Sequence, residues 1–201
     1  RFTAMTGFEW SSSPDGNNLH RVVIFRGGAA NTSRTVPFSL FDGDDPEDLW
    51  KYMSNYEQTI GGQVLAIPHN GNLSNGLMFN DKTLGGKRID KGYAETRMRW
   101  EPLIEVAQMK GDGETHPLLS TEDEFADFET WDVGNIDGST GKEDWMLQYE
   151  YARSALKLGL ELGEKLGTNP FKFGLSAASD THTGLATTRE NNYFGKYMHT
   201  E

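Results

Sequence analysis

Five side chains of metal-ligating type stand at the ends of apolar segments in this 201-residue chain. "GFEW" (7–10) carries Glu9, "NNLHR" (17–21) carries His20 and "AIPHN" (66–70) carries His69. "SDTH" (179–182) carries Asp180 and His182, two residues apart and fed directly by the small, apolar run Leu175 to Ala178. Imidazole nitrogen mixed with carboxylate oxygen suits Zn²⁺, Mn²⁺ or Fe²⁺ rather than Ca²⁺. Such ions polarise a phosphoryl or carbonyl oxygen and lower the pKa of a bound water to about 7. A carboxylate shared by two ions is the usual way to hold them about 3.5–4 Å apart. Each residue also has a plainer reading: a hydrogen-bonded structural histidine, a solvated glutamate, a surface turn. The case for a site rests on the set.

Composition narrows the partners. A net charge of −11 argues against nucleic acid, which needs a dense Lys/Arg surface, and against an anionic membrane surface. A small anionic substrate stays open, because a bound metal reverses the local sign of a cleft. Cysteine is absent, so disulfides, zinc–thiolate sites and Cys nucleophiles are excluded and any metal must use His, Asp, Glu and water. No apolar run approaches the roughly 20 residues of a membrane span. The chain begins at Arg1 and shows no signal peptide, which leaves its compartment open. With 24% charged residues, 23 glycines and 7 prolines, one globular, loop-rich domain is expected.

The elements that would position these side chains follow from the apolar pattern. Strands are expected at the opening segment, over "NNLHRVVIF", over "QVLAIPHN", over "PLIEVAQM" and over Phe171 to Ala178. A helix should start at Asp45 with Pro46 in its first turn, bury Leu49, Trp50, Met53, Tyr56 and Ile60, and stop at Gly61-Gly62. Residues 70–92 read as irregular, with a short helix near Thr96 to Glu101. A long helix is expected from Lys142 to Leu166, with Trp145, Tyr149, Ala152 and Leu156 on its apolar stripe. Gly159 and Gly163 would allow close backbone approach there, and Gly167 would end it. Between them, residues 111–141 form a long acidic connection, either an insertion over a site or a surface loop. Strands alternating with helices suggest parallel β/α units, whose sites form where strand C-termini meet.

Other residues could serve such a mouth. His116 in "GDGETHP" could reach over it from the acidic connection and take part in catalysis, or be a plain loop histidine. Glu105 would face either a barrel floor or the site. Arg21 and Lys110 could hold an anion, since cationic donors stabilise a phosphoryl group in its transition state; a solvated surface position is the alternative. Asn70 and Asn72 could orient substrate, or "HNGN" could be turn chemistry. His199 reads as solvated.

In their order, "GFEW", "NNLHR", "IPHN" and "SDTH" resemble the motifs of the PHP (polymerase and histidinol phosphatase) superfamily of metal-dependent hydrolases. The longer stretches "GFEWSSSPDGNNLHRVVIFR", "AIPHNGNLSNG", "EVAQMKGDGETHP" and "NPFKFGLSAASDTHTG" look like one large uncharacterised PHP-like family, catalogued as a domain of unknown function. The resemblance covers nearly the whole chain. It implies a distorted (β/α) barrel holding two or three divalent ions, and hydrolysis, most typically of phosphate esters. Carried over by position, Glu9 looks like the metal-bridging carboxylate that also acts in catalysis. His20 and His69 look like ligands from the middle motifs, and Asp180 and His182 like the closing pair. Two departures stand out. PHP proteins open with a His-x-His strand that this chain lacks, and members of the uncharacterised family continue past the closing motif. About five core parallel strands are too few to close such a barrel. The chain is therefore expected to be a single partial domain over 1–201, from the middle and later part of a longer protein. Alone it would keep one or two metal positions, and its open strand edges would favour self-association. Beside the phosphoesterase reading stand two others: hydrolysis of an amide, lactone or sulfate ester at the same centre, and a non-catalytic binding fragment.

Overall fold

Three of the apolar segments assemble into one sheet in the computed structural model of the protein, which describes residues 4–184 and 189–192. β1 (Gly7–Trp10), β2 (Arg21–Arg26) and β3 (Gln63–Pro68) lie side by side in that order. Both pairings are antiparallel, with Trp10 opposite Arg21 and Arg21 opposite Pro68. The expectation of parallel strands is thus corrected here, for a different reason at each connection. Residues 11–20 are too few for the crossover of about a dozen residues that a parallel pair needs. Between β2 and β3 a helix is present, but the chain doubles back before entering it. Residues 27–45, which include the single turn α1 (Ala29–Thr32), carry the chain to the far end of the sheet. There Trp10 Nε1 donates to the Gly43 carbonyl at 3.1 Å and Ser12 Oγ to the Asp44 carbonyl at 2.6 Å. α2 (Pro46–Ile60) then returns to where β2 stopped, and Gln63 pairs with Arg26.

α2 forms as its sequence predicts. The Asp45 carboxylate accepts from the Glu47 N–H at 2.9 Å, Pro46 opens the helix, and Gly61 closes it at φ +78°. Leu49, Trp50, Met53 and Tyr56 are buried against Val23, Phe25, Val64 and Ala66 of the sheet. Each such side chain contributes about 1.5–3 kcal/mol of hydrophobic stabilisation.

α3 (Lys91–Trp100) is longer than expected, because Asp90 caps it by accepting from the Tyr93 N–H at 2.9 Å. The strand expected over 102–109 is split into β4 (Leu103–Glu105) and β5 (Ala107–Gln108). β4 pairs in parallel with β7 (Gly174–Ser176), whereas β5 pairs antiparallel with β6 (Gly111–Asp112). Val106 marks the change: its N–H goes to Ser176, and its carbonyl accepts from Gly113. β4 also packs beside β3. The result is a mixed α/β structure with small sheets, and no closed barrel forms among the described residues.

The long helix expected over 142–166 is interrupted, giving α4 (Asp144–Leu147) and α5 (Ala152–Leu166). Tertiary bonds override helical propensity at the break. Lys142 Nζ binds both oxygens of the buried Glu150 at 2.7 and 2.9 Å, and the Gly76 N–H reaches the same carboxylate at 3.0 Å. The Ala152 and Arg153 N–H groups go to the carbonyls of Gly113 and Glu114. Trp145, assigned to the apolar stripe, is instead 51% exposed. After the break, Ala152, Ala155 and Leu162 pack with Phe79, Ile104 and Phe171 in a second core. Gly159 is required there: a Cβ would collide with Asn169 Oδ1 and lie 3.0 Å from Phe171 Cβ.

Candidate metal centre

In an antiparallel meander the C-terminal ends of β1 and β3 and the start of β2 share one edge. Side chains alternate between the faces of a strand. Trp10 and Arg21 are buried on the α2 face. Glu9, His20 and His69, each one residue away from the Trp10–Arg21–Pro68 row, therefore turn to the opposite face. The strand direction that overturns the parallel expectation is what brings these three together.

One oxygen of Glu9 serves both imidazoles. Glu9 Oε1 lies 2.9 Å from His20 Nδ1 and 3.0 Å from His69 Nε2, with the two rings 5.8 Å apart. Ser13 Oγ is 3.0 Å from the other nitrogen of His20. Behind His69, Glu105 Oε1 stands 3.7 Å from Nδ1, which settles its orientation: it faces the site. A second group shares Glu9: atoms of Glu9, Asp180 and His182 lie within 4.8 Å of one another, as do those of Glu9, His20 and His69.

Asp180 is held at φ +53°, in the left-handed region that Asp visits more readily than most residues. Such conformations persist where surrounding bonds over-determine them, often at ligand clamps. Here Asp180 Oδ1 is 3.2 Å from His182 Nε2, while Oδ2 takes Gln108 Nε2 at 3.0 Å and Lys110 Nζ at 3.1 Å. Gln108 was not singled out in the sequence; the only signal was an amide inside the apolar run "EVAQM".

Burial is the largest influence on both titrating groups at the centre of the cluster. It raises the Glu9 pKa, but hydrogen bonds and charge from His20 and His69 outweigh it and hold the carboxyl well below the usual carboxylate range. Burial lowers the His20 pKa, and the charges of His69 and Lys110 add to that fall, while Glu9 opposes without reversing it. A depressed imidazole is neutral, which is the form that ligates metal.

Other expected residues stand elsewhere or play supporting parts. Arg21 is buried on the opposite face, 3.0 Å from Glu101, so neither anion binding nor solvation describes it. His116 is buried too, and neither group of candidate ligands among the described residues includes it. Its Nδ1 accepts from the Leu118 N–H at 3.2 Å, and Nε2 lies 3.0 Å from Asp132. Those bonds fold the acidic connection, which corrects the expectation of a residue reaching over the site. Asn70 is 3% exposed, and its side chain bonds to its neighbours in the fold. Its Oδ1 accepts from Gln108 Nε2, and its Nδ2 donates to Asn72 Oδ1 at 3.3 Å. Asn72 Nδ2 in turn reaches the carbonyls of Lys110 and Trp131, both at 3.0 Å, tying the acidic connection to the site's supports. His199 lies outside the described residues.

The donor set fits a divalent ion of the Zn²⁺, Mn²⁺ or Fe²⁺ kind. Carboxylate and imidazole lone pairs converge, and a further carboxylate stands 3.7 Å behind one candidate histidine. All of residues 1–201 match the model of a family described as protein of unknown function (DUF3604), and the chain belongs to that family. No curated protein matches the chain, and no solved structure does.

Proposed function

We propose that the chain provides the metal-binding core of a PHP-type hydrolase acting on phosphate esters, its sheets being part of a distorted barrel. Glu9 carries this reading. A single carboxylate belongs to two groups of candidate ligands, with His20 and His69 in one and Asp180 and His182 in the other. That is the disposition of a carboxylate shared between two ions. Bound ions of this kind supply an activated water and polarise a phosphoryl oxygen. The chain's own residues do the rest: Glu105 acts on His69 through its charge, Gln108 holds Asp180, and Lys110 is a cation beside the site that can take a phosphoryl oxygen.

The test is metal analysis of the purified, dialysed chain, followed by aryl phosphates, aryl esters and aryl sulfates offered with added Mn²⁺ or Zn²⁺. Retained metal with turnover confined to phosphates supports the reading. Turnover of esters or sulfates alone keeps the centre and replaces the substrate class. A folded chain that retains no metal refutes both.

A further inference from the structure

Lys110 is built from a fixed backbone and a free arm. Its N–H donates to Gln108 Oε1 at 2.7 Å, and its carbonyl accepts from Asn72 Nδ2 at 3.0 Å. The side chain, about one-fifth exposed, ends 3.1 Å from Asp180 Oδ2. That oxygen already receives Gln108 Nε2 at 3.0 Å, so it keeps a donor if the ammonium leaves.

We infer that Lys110 is an exchangeable counter-ion: it pairs with Asp180 when metal is absent and is displaced toward an anionic substrate group when metal binds. The inference rests on the metal-centre reading given above. An ammonium on a four-carbon stem is a mobile positive charge that can reach either partner. Asp180 Oδ2 keeps the Gln108 amide when the ammonium leaves, so the exchange strands no bare carboxylate oxygen. A divalent ion on the same carboxylate repels the ammonium and, with it, forms a doubly cationic rim. A phosphoryl oxygen satisfies that rim. Metal binding and anion binding are then coupled through one side chain, and by linkage each strengthens the other. A residue that merely propped up Asp180 would act the opposite way, since its removal would weaken metal binding.

The sign of one measurement separates the two roles. Chelator-stripped protein is titrated with Mn²⁺ by calorimetry. Inorganic phosphate is then titrated into the Mn²⁺-loaded and the stripped protein, with circular dichroism as the check on folding. Lys110→Met is expected to bind Mn²⁺ about threefold to tenfold more tightly, because a repelling charge is gone. It should bind phosphate about tenfold more weakly when loaded, having lost a charge-assisted bond. Lys110→Arg, which keeps the charge, should stay near the parent in both titrations. The parent itself, needing no variant, should bind phosphate at least about tenfold more weakly when stripped. Unchanged or weaker Mn²⁺ binding by Lys110→Met overturns the exchange while leaving the metal centre standing, as does phosphate binding by the parent that is indifferent to Mn²⁺. A parent that takes up no Mn²⁺ overturns the metal reading itself, and the exchange with it.

Discussion

His20 and Arg21 are neighbours in the chain, yet they belong to two charge clusters on opposite faces of one sheet. Around Arg21 the charges are saturated. Glu101 Oε1 accepts from Arg21 Nε and Trp50 Nε1, both at 3.0 Å, and Oε2 pairs ionically with Arg97 Nε at 3.2 Å. Both guanidinium groups also lie over aromatic rings, Arg21 over Trp10 and Arg97 over Phe79 and Phe171. Every residue of that triad is buried. Around His20 the balance is different. Carboxylates and imidazoles face one another, two rings share a single Glu9 oxygen, and the cluster opens outward through Glu9 and His182. Burial and ionisable side chains are therefore no guide by themselves. What distinguishes the second cluster is that carboxylate and imidazole atoms converge on one another within 4.8 Å, with Glu9 common to two such groups, as candidate ligands of a cation.

The largest break in this comparison comes from the saturated side. Glu101→Gln leaves two buried guanidinium groups without a counter-charge and should cost about 3–5 kcal/mol of unfolding free energy in urea denaturation. Mn²⁺ affinity of the folded fraction should stay at the parent value, because the triad faces away from the site. The same pair carries a pH signature. Burial raises the Glu101 pKa, but the charges of Arg21 and Arg97, with hydrogen bonds from Arg21 and Trp50, hold it below its ordinary value. A group depressed on folding gives stability that is present above its unfolded pKa of about 4.3 and lost as pH falls through the folded value. Denaturation at a series of pH values should show a smaller acid loss in Glu101→Gln than in the parent, the remainder coming from groups such as Glu9 that the change leaves in place.

His69→Ala is the counterpart on the open side. It should weaken Mn²⁺ binding by at least about 100-fold, since it deletes a ligand rather than a ligand's support. Unfolding free energy should fall by less than in Glu101→Gln, because Glu9 keeps His20 as a partner. Asp180→Ala should behave alike. Equal metal content in parent and variant, measured by plasma mass spectrometry, would erase the distinction between the two clusters.

How far this was legible in the sequence follows from the physics of each signal. The caps and period of α2 are local, so Asp45, Pro46, the buried Leu49–Tyr56 face and Gly61 could be read directly. The break before α5 is not local, because Glu150 takes its partners from Lys142 and Gly76. Strand direction was illegible for a similar reason: alternation tells which face a side chain takes and nothing about which way the neighbouring strand runs. The grouping of Glu9, His20 and His69 could be anticipated from their places at strand ends, although the parallel arrangement assumed for them was wrong. Arg21 was misassigned because a basic residue beside a candidate ligand looks available, when one step along a strand reverses the face. Gln108 was missed because a single amide in an apolar run carries no motif.

The finest distinction lies within the open cluster, between residues that hold a cation and residues that hold its ligands. Glu105, its side chain 7% exposed, stands 3.7 Å from His69 Nδ1 on the side away from Glu9. At that distance the carboxylate acts on the ring through its charge, which makes the opposite nitrogen a stronger donor. Glu105→Gln keeps the shape and an oxygen acceptor but removes the charge. It should weaken Mn²⁺ binding by about tenfold, at the mild end for outer-shell changes and well short of His69→Ala. Unfolding free energy should move by less than about 1 kcal/mol, because no buried guanidinium depends on Glu105 as two depend on Glu101. If the variant instead loses several kcal/mol and leaves Mn²⁺ affinity untouched, Glu105 belongs with the saturated kind of cluster, and the boundary between the two regions moves one residue shell closer to His69.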